Sequence, residues 1–248
     1  MAERAEGLEQ PGQVRGMSGQ RGWVLGELAE AVLGVEVAHP VRVAVDGCSA
    51  AGKTTLADEL AQVLQARTDR AIIRIGIDYF KRAYELRTAY PGDSPESYYL
   101  DSWDNDAIRE RLLLPLGPGG DRRYVVALRD SSSRTVLDLP VQFAAPDAVV
   151  LVDGAFLQRP ELLDLWDLRI YVHVGFDVVL RRGIARDQAW MDSAEDAERR
   201  YLSKYIPGER LYVDQVRPRE RAQLVVDNED PARPVLTRRS GEPGGLRP

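Results

Sequence analysis

One cysteine and two histidines stand in a chain of 248 residues, and their scarcity removes whole classes of chemistry. A lone thiol, Cys48, excludes an intrachain disulfide, and one cysteine with the separated His39 and His173 cannot assemble a zinc site. There is no apolar run of about 18 residues and no signal-type apolar segment, so the sequence reads as a soluble, cytoplasmic protein without a membrane partner. Neither end carries a lysine- or arginine-rich run. With a formal net charge of −6, a general nucleic-acid or anionic-membrane surface is not supported.

What is present suffices for a substantial core: 44% of the residues are hydrophobic, and the length fits one α/β domain with insertions. Residues 1–20 have almost no apolar periodicity and predict a mobile leader, with Met17 as a second start site. Residues 231–248 predict a loose tail, which leaves 21–230 as the folded domain. Within it, short apolar runs at 41–45, 71–77, 148–152, 168–174 and 224–226 predict strands covered on both faces. Helical spacing marks 23–33, 55–66, 105–114 behind an Asp104 cap, 178–187 and 193–205. The alternation predicts an α/β fold with a doubly wound, mostly parallel sheet and helices on both faces. The stretch 79–146 is too long for one crossover and contains Pro91-Gly92, Pro95, Pro115 and Gly117-Pro118-Gly119-Gly120, so it predicts an inserted lobe.

Between the first strand and its helix lies Gly47-Cys48-Ser49-Ala50-Ala51-Gly52-Lys53-Thr54, a complete G-x-x-x-x-G-K-[ST] phosphate loop in its required strand–loop–helix setting. Gly47 and Gly52 let the backbone turn so that amides from Ser49 through Thr55 face phosphate oxygens, and the helix starting near Lys53 adds its positive dipole end. Lys53 is placed for the β and γ phosphates of a nucleotide, and the Thr54 hydroxyl for Mg²⁺. Cys48, inside the loop, is either an alkylation site that nucleotide protects or a small buried side chain.

Three further positions carry candidate chemistry. Asp78 follows the second strand on the same sheet edge as the loop, where it orients and deprotonates an acceptor hydroxyl or else caps a turn. Asp153 follows the apolar run Val149-Val150-Leu151-Val152, either as an acidic residue near Mg²⁺ or as the Asp of a plain Asp-Gly turn. Arg181, Arg182 and Arg186 precede Asp187 on a predicted helix whose positions 182 and 186 share a face, so that they form an arginine lid over a triphosphate or a solvated charged face. An insertion leaving the second strand is placed to hold an acceptor opposite the nucleotide, because ligands of such sheets bind beyond the strands' carboxyl ends.

In order along residues 40–230, the phosphate loop, Asp78-Tyr79-Phe80, Asp101-Ser102-Trp103-Asp104, Val152-Asp153-Gly154-Ala155-Phe156 and Arg181-Arg182-Gly183-Ile184-Ala185-Arg186-Asp187 together resemble the uridine kinase, phosphoribulokinase and bacterial pantothenate kinase group of P-loop kinases. The resemblance implies a fold of the P-loop nucleoside triphosphate hydrolase type. It also implies transfer of the γ-phosphoryl group of ATP, with Mg²⁺, to a hydroxyl of a small metabolite. On that basis Lys53, Asp78, Arg182 and Arg186 are the catalytic candidates. Gly47, Ser49, Ala50, Ala51, Gly52, Lys53, Thr54 and Thr55 bind nucleotide, Thr54 and Asp153 serve the metal, and a homo-oligomer is compatible with the group. Where uridine kinases have Glu before the glycine, this chain has Asp153. It also lacks the first Asp of their Asp-His-Pro-Asp-Ala-Phe-Asp segment and the histidines of that segment and of Tyr-Asp-Phe-x-x-His. A site built to hydrogen-bond a pyrimidine would be left unpaired, so nucleoside specificity does not carry over, and Tyr98, Tyr124 and Arg129 stand as acceptor contacts or as packing. The rival reading is a nucleotide-binding regulator that hydrolyses slowly or not at all.

Overall fold

The computed structural model of the chain describes residues 19–130 and 132–238. The expected leader through residue 18, with Met17, and the part of the expected tail from residue 239 lie outside the described residues. Chain order runs α1 (Gln20–Leu33), β1 (Val41–Gly47), α2 (Lys53–Gln65) and β2 (Ile72–Gly76), then α3 (Pro95–Asp101), α4 (Asn105–Ile108) and the short hairpin strands β3 (Arg123–Tyr124) and β4 (Gln142–Phe143). It continues through β5 (Val149–Gly154), α5 (Pro160–Leu163), β6 (Leu168–His173), α6 (Phe176–Asp187), α7 (Ala194–Arg200), α8 (Ile206–Val216), β7 (Leu224–Asp227) and β8 (Val235–Arg238).

The main sheet has the order β2-β5-β1-β6-β7-β8, parallel except for the antiparallel edge strand β8. Alternation along the central strands divides the side chains between two cores. Val41, Val43 and Val45 of β1 and Val149 and Leu151 of β5 pack with Leu25 and Leu28 of α1, Leu56 and Leu60 of α2 and Val179 of α6. Ala44, Val150 and Val152 turn the other way and meet Tyr98, Trp103 and Leu112 of the inserted lobe and Tyr212 and Val216 of α8. Each such aliphatic side chain contributes about 1.5–3 kcal/mol when fully buried, so both faces are held by comparable forces. No helix among the described residues is long and apolar enough to cross a membrane.

The expected strands form within a residue or two of their predicted ends, whereas three segments differ from expectation. The predicted helix at 105–114 is regular only over Asn105–Ile108 and then widens into a π turn, Arg109–Leu113. The helix predicted at 193–205 runs from Ala194 to Arg200, passes through a π turn at Tyr201–Tyr205, and continues as α8. Pro207 falls in the first turn of α8, where a proline is tolerated. Residues 235–238, assigned in sequence to a loose tail, instead form β8 against β7. Their side chains are mostly exposed, so backbone pairing rather than apolar burial holds them, and composition carries no sign of it.

The register sets the functional edge. Asp46 lies beside Gly154, and Gly76 beside Asp153, so the carboxyl ends of β1, β5 and β2 finish side by side. The phosphate loop, Asp153 and the turn carrying Asp78 therefore emerge together.

Candidate active site

The loop from Cys48 to Gly52 is braced from several sides. Gly52 holds a φ of 92°, and a Cβ there would sit 2.7 Å from the Asn228 amide nitrogen, so both backbone and space demand glycine. Asn228, buried just after β7, donates to the Ala51 carbonyl at 2.7 Å. Lys53 Nζ donates to the Cys48 carbonyl at 2.7 Å, spanning the loop's mouth. The Ser49 amide donates to Glu209 Oε1 of α8 at 2.6 Å, and the Ser49 hydroxyl lies 3.0 Å from the Tyr98 hydroxyl of α3. Cys48 is buried, and burial with the nearby Glu209 pushes its thiol well up, which favours the packing role over the reactive one.

Under the loop sits Asp46, fully buried, which accepts from the Gly47 and Leu157 amides, Gln158 Nε2 and the Tyr212 hydroxyl. Burial pushes its carboxyl up, and the four donors only partly offset that. Tyr212 and Glu209 both come from α8, three residues apart and so on one helical face.

At the metal position expected from sequence, Thr54 Oγ1 donates to Asp153 Oδ2 at 2.6 Å. The other oxygen of Asp153 meets Arg74 at 2.9 Å. A hydroxyl and a carboxylate in contact at the loop's helix end are hard oxygen donors that fit a Mg²⁺ completed by phosphates and water. Among the described residues no cluster of three or more His, Cys, Asp or Glu side chains is arranged for a metal.

A cavity of about 650 Å³ opens at this edge, and its lining includes Lys53, Thr54 and Asp153 together with Asp78, Lys81 and Tyr98. Asp78 lies in the short 3-10 turn Ile77–Phe80, with its side chain exposed and Lys81 Nζ 3.4 Å from it. Arg186 reaches the rim and is paired with Asp187 at 2.6 Å, while Asp187 also accepts from the Tyr201 hydroxyl and Trp190 Nε1. The Asp187 contact raises the Arg186 pKa, so its charge is secure.

Not every expected residue joins this cavity. Arg182 does not line it; its guanidinium donates instead to the carbonyls of Asn228 and Glu229, at 3.0 and 2.9 Å, bracing the segment that holds the loop. Thr55 is exposed on the first turn of α2 and is absent from the lining, as are Gly47, Ala50, Ala51 and Gly52. Tyr98 is at the cavity, Tyr124 packs in the core, and Arg129 lines a separate cavity of about 460 Å³. Glu209, Asn228, Arg74 and Lys81 were not anticipated. Lys81, three residues after Asp78, had a legible position, but the others approach from far along the chain with no motif of their own.

No family model matches the chain. Over 179 residues it is 26% identical to the uridine kinase of Staphylococcus aureus strain JH9, a span of 69% of this chain and 81% of that one. A possible uridine kinase from Bacillus stearothermophilus superposes with a TM-score of 0.63 at 20% identity, over 81% of this chain and 96% of its own. A candidate fructose transport system kinase from Silicibacter sp. TM1040 gives a TM-score of 0.64 at 21% identity, over 77% and 94%. These structures share the mostly parallel sheet flanked by helices.

Proposed function

We propose that this chain, which belongs with the uridine kinase-like group of P-loop kinases, transfers the γ-phosphoryl group of ATP to a hydroxyl of a small metabolite. The observation that carries the reading is one cavity lined both by the phosphate-loop side chains Lys53 and Thr54 and by the exposed carboxylate Asp78. The groups proposed for donor and acceptor thus share one cavity.

In this reading Lys53 leaves the Cys48 carbonyl for the phosphates, and the free loop amides take the remaining oxygens. Thr54 and Asp153 would hold Mg²⁺, which offsets phosphate charge and polarises the transferred group. The acceptor oxygen forms a bond to the γ-phosphorus as the bond from that phosphorus to the ADP oxygen breaks. The hydroxyl proton passes to the Asp78 carboxylate, and ADP departs with the bonding electron pair. Arg186, drawn from the rim, stabilises the spread negative charge and excludes water, while Arg182 acts at one remove by fixing the segment after β7. Rate enhancement then rests on positioning and charge stabilisation.

The test is incubation with Mg²⁺ and γ-labelled ATP against nucleosides, pantothenate, ribulose 5-phosphate and simple sugars, with Asp78→Ala alongside. Label on one acceptor, lost in the variant, is the expected result. Tight ATP binding with no transfer to any acceptor would overturn it.

A further inference from the structure

Two carboxylates lie buried against the phosphate loop, and their surroundings differ. Asp46 is surrounded by four donors. Glu209 is equally buried, yet Oε1 takes the Ser49 amide while Oε2 has no hydrogen-bond partner among the described residues. A buried acceptor left unpaired opposes folding, and native chains keep few of them. The loop amide it holds is thereby taken up by a carboxyl group, in a motif whose amides serve phosphate in the kinase reading.

Tyr98 completes the arrangement. Its ring lies in the cavity wall, its hydroxyl is 3.0 Å from Ser49 Oγ, and it comes within 3.5 Å of Glu209 Oε1. The helices carrying these groups are in backbone contact: a Cβ on Gly208 would lie 2.8 Å from the Pro95 carbonyl oxygen and 2.9 Å from the Tyr98 ring. With no slack between α3 and α8, a shift of Tyr98 is passed to Glu209 and Ser49 together.

From this geometry we infer that Glu209 is a positioning residue which, with Tyr98 and Ser49, ties the acceptor wall of the cavity to the phosphate loop, so that the state of one wall sets the loop geometry of the other. The inference rests on the kinase reading for what fills the acceptor side, but the tie can be measured with nucleotide alone. Loss of either end frees the Ser49 segment, weakens nucleotide binding and lets the bound γ-phosphoryl group meet water as readily as the acceptor.

The experiment is a double-mutant cycle on the full chain with Tyr98→Phe, Glu209→Leu and their combination, reading MgATP affinity by calorimetry and thermal stability in parallel. Each single variant is expected to weaken MgATP about threefold to tenfold, the factor carried by an ordinary hydrogen bond. The combination should be no weaker than the worse single, because both cut the same tie. Glu209→Gln keeps an acceptor for the Ser49 amide and should bind nearly as the parent does. Leucine removes a buried carboxyl, so a melting temperature that holds or rises while affinity falls separates positioning from mere packing. Should Glu209→Leu not fold, Ser49→Ala removes the hydroxyl link and takes its place in the cycle. With a phosphorylated acceptor in hand, the ratio of label on acceptor to label on free phosphate should fall in the same variants. Unchanged MgATP affinity, or strictly additive losses, would overturn the tie. Absence of transfer by the parent protein would overturn the kinase reading and leave the nucleotide cycle standing as the test of the tie.

Discussion

The two sides that the kinase reading gives the cavity are built in different ways. Apart from Asp153, the phosphate side comes from one continuous stretch, strand β1 through the start of α2, whose turn its own glycines and helix end permit and which Asn228 and Glu209 brace from outside. On the side given to the acceptor, the lining residues Tyr98 and Trp103 belong to distant segments that meet around Phe156. That ring lies 5.0 to 5.2 Å from those of Tyr98, Tyr99, Trp103 and Tyr212, and its backbone holds a φ of 67°. A bulky residue in that region is strained, and packing must outweigh the strain. The difference teaches that the chemistry of one wall is carried by a local rule, and the shape of the other by long-range burial.

If that division is right, single changes on the two walls should fail in different ways. Lys53→Ala should lower phosphoryl transfer by about 10²–10³-fold, the loss typical when one group stabilising transition-state charge is removed, measured as kcat/KM with γ-labelled ATP. Its half-exposed side chain carries little of the core, so the melting temperature should hold. A matching loss of stability would break the comparison.

The opposite pattern is expected of Phe156→Ala. Truncating a buried aromatic at the centre of this cluster should cost about 3–5 kcal/mol in a urea titration. A separate early transition would sharpen the contrast by showing that the acceptor wall melts before the sheet.

Asp78→Asn probes the acceptor side where it faces the chemistry rather than the core. Its exposed side chain predicts a stability change within about 0.5 kcal/mol. A general base predicts a fall in kcat of about 10²–10⁴-fold with MgATP affinity held within about twofold. Parallel loss of nucleotide affinity would assign Asp78 to the phosphate wall instead.

These contrasts also mark what the sequence could disclose. The strands at the carboxyl edge, the loop, Thr54 with Asp153, and Asp78 are each written in a short local pattern, and the structure brings them to one edge as expected. Arg182 shares a helical face with Arg186 in sequence, but a carbonyl pair after β7 lies within its reach and takes it out of the cavity. No local pattern signals such a partner. Glu209 was hidden for a related reason: it lies beyond the predicted helix 193–205, and only the close approach of α3 explains why a glycine precedes it inside a helix. Edge strand β8 was hidden because it is held by backbone groups, which every residue has.

The smallest expected effect concerns the rim, where neither wall dominates. Burial alone would push the Asp187 carboxyl up, but hydrogen bonds from Arg186, Tyr201 and Trp190 outweigh it and hold the group below the ordinary carboxylate range. Its pKa is therefore lower folded than unfolded, where a value of about 3.9 applies. The associated stability is present above that pH and is lost as the pH falls through the depressed folded value. Asp187→Asn removes this dependence. The drop in melting temperature between about pH 7 and pH 3 should shrink by no more than about 2–4 °C, the scale expected for a chain of this size. Because Asp187 also anchors Arg186 at the cavity rim, the same variant should slow transfer near neutral pH, where its effect on titration is absent. A slower reaction at neutral pH with an unaltered acid limb would mean that the anchor matters and the charge does not. The reverse would make the pair a device of stability, leaving Arg186 to reach the phosphates without help.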